Sequence, residues 1–303
     1  MASAGQTSAL KTVRDLVRWG ASEFARNGLY FGHGTDNALD ESFHLVTWAL
    51  KLPHDIPATY LDGAVTAAEL KRVLALLRKR VRTRKPAAYL TGEAWFAGLP
   101  FAVDERVLIP RSPIAELIGH RFRPWVSEDP AKVLDLCAGS GCIGIACAVA
   151  FPGAAVDLAD LDAGALAVMK VNVARHEMTA RARIVKSDLF KALAGKRYDL
   201  IVCNPPYIPL KRWRKLPREY HHEPRRALEG GGDGLTLVDR ILHQAPDHLA
   251  PRGVLVLEVG GTQPEFAARY PDLPVVWLEF EHGGDGVFTI TRDELLNWKK
   301  NVG

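Results

Sequence analysis

Four consecutive residues, Asn204-Pro205-Pro206-Tyr207, carry groups that together recognise a planar –NH2. Asn204 brings one carbonyl acceptor and two amide donors. A proline has no N–H, so the carbonyls near Pro205 and Pro206 lack a local donor and are open to a ligand. Tyr207 adds a flat ring and a hydroxyl. Two acceptors and a stacking face suit a primary amide or the exocyclic amine of a base. The tetrad follows Tyr198-Asp199-Leu200-Ile201-Val202-Cys203, which reads as a buried strand. Two prolines cannot extend a sheet, so the strand stops at Cys203 and a rigid turn follows. The carboxyl end of an α/β strand is where such folds bind ligands. The plain alternative is a strand-ending turn with an asparagine cap.

A second cluster lies upstream, in Asp135-Leu136-Cys137-Ala138-Gly139-Ser140-Gly141-Cys142-Ile143-Gly144. Gly139, Gly141 and Gly144 fit G-x-G-x-x-G, and Asp160 and Asp162 follow about 20 residues on, the spacing of a dinucleotide site. Two features oppose that reading. Asp135 would set a negative charge near a pyrophosphate; it suits the cationic amino-acid end of S-adenosylmethionine (SAM) better. The 204–207 tetrad has no part in hydride chemistry. Asp160 is favoured over Asp162 for the ribose hydroxyls, because Asp162 also suits a helix cap. In Ser187-Asp188-Leu189-Phe190, Asp188 is placed to take an adenine amine, with Leu189 or Phe190 against its ring. Each of these stretches also reads as an ordinary turn.

The elements that must position these groups are legible in outline. From Lys132 onward, strands at 132–137, 155–159, 182–185, 199–203 and 253–259 alternate with helices, which means a parallel sheet covered on both faces. The strands 275–280 and 287–291 are joined across Gly283-Gly284-Asp285-Gly286, too short for a crossover helix, so this last pair is antiparallel. Residues from Ser8 to Arg84 show helical periodicity, as in Leu10, Val13, Leu16, Val17 and Phe24. Thr66 and Glu69 form a capping box. The helix they open has a basic side of Lys71, Arg72, Arg78, Lys79, Arg80, Arg82, Arg84 and Lys85. That side is either a solvated helix face or a contact for RNA phosphates or a ribosomal particle. Residues 93–96 and 99–103 flank Ala97-Gly98 as a β-hairpin. After it, Ser112 suits an N-cap and Pro113 a first helical turn.

Composition excludes several classes. The 303 residues suit one large domain and a small one, with ordinary apolar (48%) and charged (24%) content. No apolar run approaches the ~20 residues that span a bilayer. The opening Met1-Ala2-Ser3-Ala4-Gly5-Gln6 lacks the regions of a signal peptide, so a cytoplasmic protein is expected. The four cysteines form no Cys-x-x-Cys pair, so neither zinc, nor any other metal, nor a disulfide framework is expected. A formal charge of +4 permits an RNA-rich partner without demanding one.

The glycine loop with Asp135, the acid at Asp160, Ser187-Asp188 and Asn204-Pro205-Pro206-Tyr207 resemble the class I SAM-dependent methyltransferases of the protein-(glutamine-N5) group. The resemblance runs on through Glu223-Pro224, Ala227-Leu228 and Gly231-Gly232-Asp233-Gly234-Leu235, and covers nearly the whole chain. Segment 108–118 and the run 286–292 look like the branch that modifies ribosomal protein L-three rather than peptide release factors. The resemblance implies a Rossmann-like seven-stranded sheet with an antiparallel last strand. It implies a helical substrate-recognition domain at 1–88, a β-hairpin linker at 89–111 and a catalytic domain at 112–303. SAM would be held by Asp135, Gly139, Ser140, Gly141, Asp160, Asp188, Leu189 and Asn204, leaving S-adenosylhomocysteine as product. A glutamine amide would be held by Asn204, Pro205, Pro206 and Tyr207, without a general base. His221, His222 and Glu223 are read as lid or substrate-contact residues. The basic run 211–218 is read as covering the site or touching the substrate or its RNA. The partner implied is L-three or an assembling large ribosomal subunit. Competing readings are release-factor methylation, amino-methylation of a DNA or RNA base, and a non-catalytic SAM-binding assembly factor.

Overall fold

The computed structural model describes residues 9–53 and 55–302. Ser8, where helical periodicity is expected to begin, and the opening hexapeptide lie outside the described residues. The chain divides into two compact units. One takes the chain up to Glu93 together with Pro217–His222. The other takes Ala94–Leu216 and Glu223 onward.

The first unit is built on helices Val13–Arg26, Ala38–Leu50 and Ala67–Thr83. Thr12 with Asp15 and Thr66 with Glu69 close capping boxes, and Asn37 caps the middle helix. Leu16, Phe24, Leu45, Val46, Val73 and Leu77 fill the core between them. One residue of the supposed basic side is not on the surface. Arg80 falls three residues after Leu77 and seven after Val73, so it lies on the buried stripe. It is 0% exposed, with Nε 2.7 Å from Glu41 and Nη1 3.7 Å from Glu219. Arg84 also turns inward, to the carbonyls of Asn27 and Gly28 and to Glu219. Lys71, Arg72, Arg78, Lys79 and Arg82 remain exposed. Replacing Glu41 by alanine strands a buried guanidinium. The cost is about 3 kcal/mol, the low end for a broken buried pair, because Glu219 still faces it. Denaturant titration of Glu41→Ala reads this directly, and an unchanged midpoint would show that the pair contributes nothing.

The hairpin β1 (Glu93–Phe96) and β2 (Leu99–Ala102), which opens the second unit from Ala94 onward, turns at Ala97 (φ 48°) and Gly98 (φ 75°). Both central residues are left-handed, as a type I′ turn requires. The sheet holds β3 (Lys132–Leu136), β4 (Ala155–Asp160), β5 (Ala182–Lys186), β6 (Tyr198–Cys203), β7 (Leu249–Glu258), β8 (Val276–Trp277) and β9 (Val287–Thr291). Their order is β5-β4-β3-β6-β7-β9-β8. All neighbours pair in parallel except β9, which runs antiparallel to both β7 and β8. Only Val276 and Trp277 of the expected strand 275–280 join the sheet.

Leu136 stands opposite both Ala159 and Cys203. The carboxyl ends of β4, β3 and β6 therefore lie in one row. The chain order reverses at β3, which makes this row the topological switch point where α/β sheets bind ligands. Side chains alternate across the pleat. Val133, Val156, Leu158, Leu200 and Val202 pack with helix Cys142–Ala150; Leu134, Leu136, Ile201, Leu255 and Leu257 pack with helix Thr236–His248. No helix among the described residues is long and apolar enough to cross a membrane.

Candidate active site

β6 ends at Cys203, and the tetrad begins immediately beyond it. Asn204 and Pro206 line a cavity at the switch point, in company with Gly139, Asp160, Asp188 and Leu189. Pro205 is buried in the turn. The turn is backed by the glycine-rich segment after Leu228. Ile208 N–H donates to the Leu228 carbonyl (2.8 Å), and Gly230 N–H donates to the Ile208 carbonyl (3.0 Å). A Cβ at Gly230 would lie 2.5 Å from the Pro206 oxygen, and one at Gly234 would lie 2.2 Å from the Tyr207 oxygen. Only glycine allows so close an approach.

Tyr207 does not line the cavity. Its hydroxyl donates to Glu258 Oε1 at 2.9 Å, and Ser112 Oγ donates to Glu258 Oε2 at 2.5 Å. Burial pushes the Glu258 carboxyl up from its ordinary range, while Ser112, Tyr207 and the Arg111 guanidinium pull it back. Burial, then the Glu258 charge, pushes the Tyr207 phenol up, so the hydroxyl stays protonated and remains a donor.

The glycine loop turns at Gly139 (φ 56°) and Gly141 (φ 80°). Asp160, at the end of β4, holds it: Oδ2 accepts from Gly139 N–H and Oδ1 from Asp162 N–H, both at 2.8 Å. Burial pushes the Asp160 carboxyl up. Asp162 caps helix Ala163–Arg175 through Ala165 N–H (2.9 Å) and pairs with Arg226. Ser140 is buried, and its carbonyl accepts from Asn172, which also brackets Ala102 of β2. Asp135 sits behind the loop rather than among the cavity-lining residues. Its Oδ2 accepts from Gly144 N–H at 2.7 Å, and its Oδ1 is buried without a hydrogen-bond partner among the described residues. Burial raises this carboxyl to about 7.

Asp188 lines the cavity but is also ion-paired, with Lys191 at 2.6 Å and Arg240 at 2.7 Å, which hold it below the usual carboxylate range. Leu189 (φ 51°) is turned to the cavity wall. Phe190 is not: its ring stacks on His248 at 4.6 Å in the core, so of the two hydrophobes only Leu189 faces the site.

The sequence profile described as the methyltransferase small domain matches residues 124–238. A ribosomal protein uL3 glutamine methyltransferase of Francisella tularensis is 46% identical over 292 residues, 96% of this chain and 93% of that protein. One of Bordetella pertussis is 48% identical over 289 residues, 94% of this chain and 97% of that protein. The chain belongs to the ribosomal protein uL3 glutamine methyltransferase family. The branch expected from segments 108–118 and 286–292 is thereby borne out. Among solved structures, a methyltransferase from Pyrococcus furiosus aligns at 18% identity and TM-score 0.48, over 73% of this chain and 98% of that one.

Several residues at or beside the candidate site are not expected from the sequence. Glu258 falls inside the expected strand 253–259, although a carboxylate after the run Val254-Leu255-Val256-Leu257 is itself a signal. Arg106 and Arg226 line the cavity and gave no sign in the sequence. Glu223, expected as a lid or contact residue, is buried. It accepts Ile109 N–H at 3.0 Å and grips Arg111 with both oxygens, at 2.6 and 2.8 Å. His222 Nε2 meets the Thr83 carbonyl within the first unit. In the basic run, Arg212 reaches the Gly261 carbonyl and Glu265.

Proposed function

We propose that this chain transfers a methyl group from SAM to the side-chain amide nitrogen of a glutamine in ribosomal protein uL3 (L-three), releasing S-adenosylhomocysteine. The observation that carries the reading is that Asn204 and Pro206 share one cavity with Gly139 and Asp160. The amide-recognising turn and the nucleoside-type loop thus open into the same space. The identity of the relatives supports the choice of acceptor.

The residues present fit SAM. The walls are apolar where a nucleoside needs them, at Leu108, Leu136, Leu161, Leu189 and Leu237. Asp160 offers carboxylate oxygens to ribose hydroxyls. Asp188 and Leu189 face the position read for adenine. The unpartnered Oδ1 of Asp135 suits an ammonium group. Gly139, Ser140 and Gly141 bring backbone close. When bound, SAM supplies an electrophilic methyl on a sulfonium.

The chain's own residues then do the rest by positioning. Asn204 Oδ1 and the Pro205 carbonyl accept the two hydrogens of the glutamine amide. This aims the nitrogen and favours pyramidalisation, because the amide lone pair is delocalised in the free side chain. Pro206, which lines the cavity, packs against the amide plane, and Tyr207, next in the chain, holds the turn from outside the wall through Glu258. Fixed acceptors and a fixed plane carry the catalysis. No side chain is assigned as general base, because the proton leaves to water after transfer. Residues 1–88 would recognise the substrate, 89–111 would link, and 112–303 would catalyse. Exposed Lys71, Arg72, Arg78, Lys79 and Arg82 would meet RNA of an assembling large subunit. The reaction would take place in the cytoplasm, where ribosomal proteins are made.

Transfer of labelled methyl is to be compared across uL3 (free and in immature particles), a release factor and duplex DNA. Label mapped to a uL3 glutamine is expected. Label on the release factor or DNA alone would overturn the acceptor, and no label anywhere would favour a non-catalytic SAM-binding assembly factor.

Asp135 adds a pH dependence. Its carboxyl titrates near 7 through burial, and an ammonium partner favours the charged form. Below that value a proton must leave on binding, so the SAM dissociation constant should rise toward about tenfold per pH unit, and it should be flat above. The fold itself responds oppositely. A carboxyl raised from about 4 to about 7 costs stability as pH climbs through that window. Titration of SAM from pH 6 to 8 checks the slope, which Asp135→Asn should remove.

A further inference from the structure

We infer that Glu258 is a positioning residue for methyl transfer: through Tyr207 it anchors the turn that carries Asn204 and Pro206 into the cavity, and through Ser112 it ties that turn to the segment after Arg111. This rests on the acceptor chemistry proposed above.

Glu258 is the last residue of β7 and is 5% exposed. A carboxylate so placed costs several kcal/mol unless donors meet it. Here each oxygen receives one hydroxyl, Tyr207 on Oε1 and Ser112 on Oε2. The Tyr207 hydroxyl is therefore spent on Glu258. It contributes by anchoring the turn from outside the cavity wall, not through donation to a substrate. The hydroxyl end of the ring is also closed by backbone. A Cβ at Gly260 (φ 47°) would lie 2.6 Å from the Tyr207 ring carbon Cε2. The hydroxyl end of the ring is thus held by a glycine backbone and a buried carboxylate together. Ser112 in turn accepts Ile114 N–H at 3.2 Å, and Pro113 packs where a Cβ at Gly284 would be 2.8 Å away. One buried carboxylate thus locks the tetrad, the 112–114 segment and the 283–286 turn into a single arrangement.

The test compares Glu258→Ala, Glu258→Gln, Ser112→Ala and Tyr207→Phe with the unmodified chain, measuring kcat and KM with uL3 and SAM binding by titration. Misplacing a reacting group by an ångström lowers a rate about 10²-fold, and that is the fall in kcat expected for Glu258→Ala. SAM affinity should stay within about threefold, since Glu258 is not among the cavity-lining residues. Glu258→Gln should recover to within about tenfold of the unmodified rate, because its carbonyl still accepts from Tyr207. Ser112→Ala should lose less than Glu258→Ala, because only one of the two anchors is cut. Glu258→Ala with Tyr207→Phe should be no slower than the slower single variant. Unmodified kcat in Glu258→Ala, equal losses for Gln and Ala, or additive losses in the double variant would overturn the inference. A second measurement does not need the acceptor. With 3-fluorotyrosine at position 207, the held ring should give fluorine resonances in slow exchange, and Glu258→Ala should collapse them to an average. Identical spectra would overturn the positioning role. Absence of label on uL3 with the unmodified chain would overturn the acceptor instead, and the fluorine spectra would still decide Glu258.

Discussion

Asn204→Ala should lower kcat by about 10³-fold while leaving SAM affinity within a few-fold. The magnitude follows from the acceptor it removes. A positioned dipole facing a group whose charge changes in the transition state contributes roughly 10²–10³ in kcat. In the proposed arrangement Asn204 supplies one of the two acceptors that aim the amide nitrogen, and misaim multiplies the loss. The small effect on SAM follows from the structure. The glycine loop is held by Asp160 and by Asn172, not by Asn204. Single-turnover kinetics at saturating SAM measure the first quantity and titration the second. A variant with normal turnover would remove the role assigned to Asn204. A variant that lost turnover and SAM binding together would make it a cofactor ligand first.

Asp160→Ala should weaken SAM binding about 10²-fold, as the loss of one or two hydrogen bonds to a charged acceptor predicts. At saturating SAM, kcat should change little, because the tetrad is untouched. The contrast with Asp162 is the discriminating part. Each oxygen of both carboxylates already accepts one bond, Asp160 from two backbone N–H groups and Asp162 from the Ala165 N–H and from Arg226; Asp162 differs in being committed to its own helix cap and neutralised by a guanidinium. Asp162→Ala therefore costs about 1 kcal/mol as a lost cap and leaves SAM affinity nearly unchanged. Equal effects of the two substitutions on the dissociation constant would move the ribose role away from Asp160.

Much of this was legible in the chain before any coordinates. Alternation of β-branched runs with helical periodicity yields a parallel sheet, and Gly283-Gly284-Asp285-Gly286 is too short for anything but antiparallel return. The observed order, with β9 inserted between β7 and β8, agrees with that count. Asn204-Pro205-Pro206-Tyr207 and Gly139-Ser140-Gly141 were readable because backbone requirements fix their residue types locally. Phe190 could not be told from Leu189, because adjacent residues point to opposite sides and sequence does not say which side is the cavity. Arg80 was misplaced among the exposed cations for a similar reason. Its position on the buried stripe is visible, but the carboxylates that neutralise it come from 39 residues before it and from Glu219, 139 residues after it.

The sequence by itself determined the scaffold and the groups it carries: an Asn-Pro-Pro-Tyr turn at a strand end, a glycine loop, acids at the next strand ends. These are properties of short stretches, where φ preferences and hydrogen-bonding groups act on near neighbours. Only the tertiary structure decided what holds the turn. Ser112 and Glu258 are 146 residues apart, and Tyr207 and Glu258 are 51 apart. A buried carboxylate stays only where folding brings donors to both of its oxygens, and no local pattern records which donors those will be.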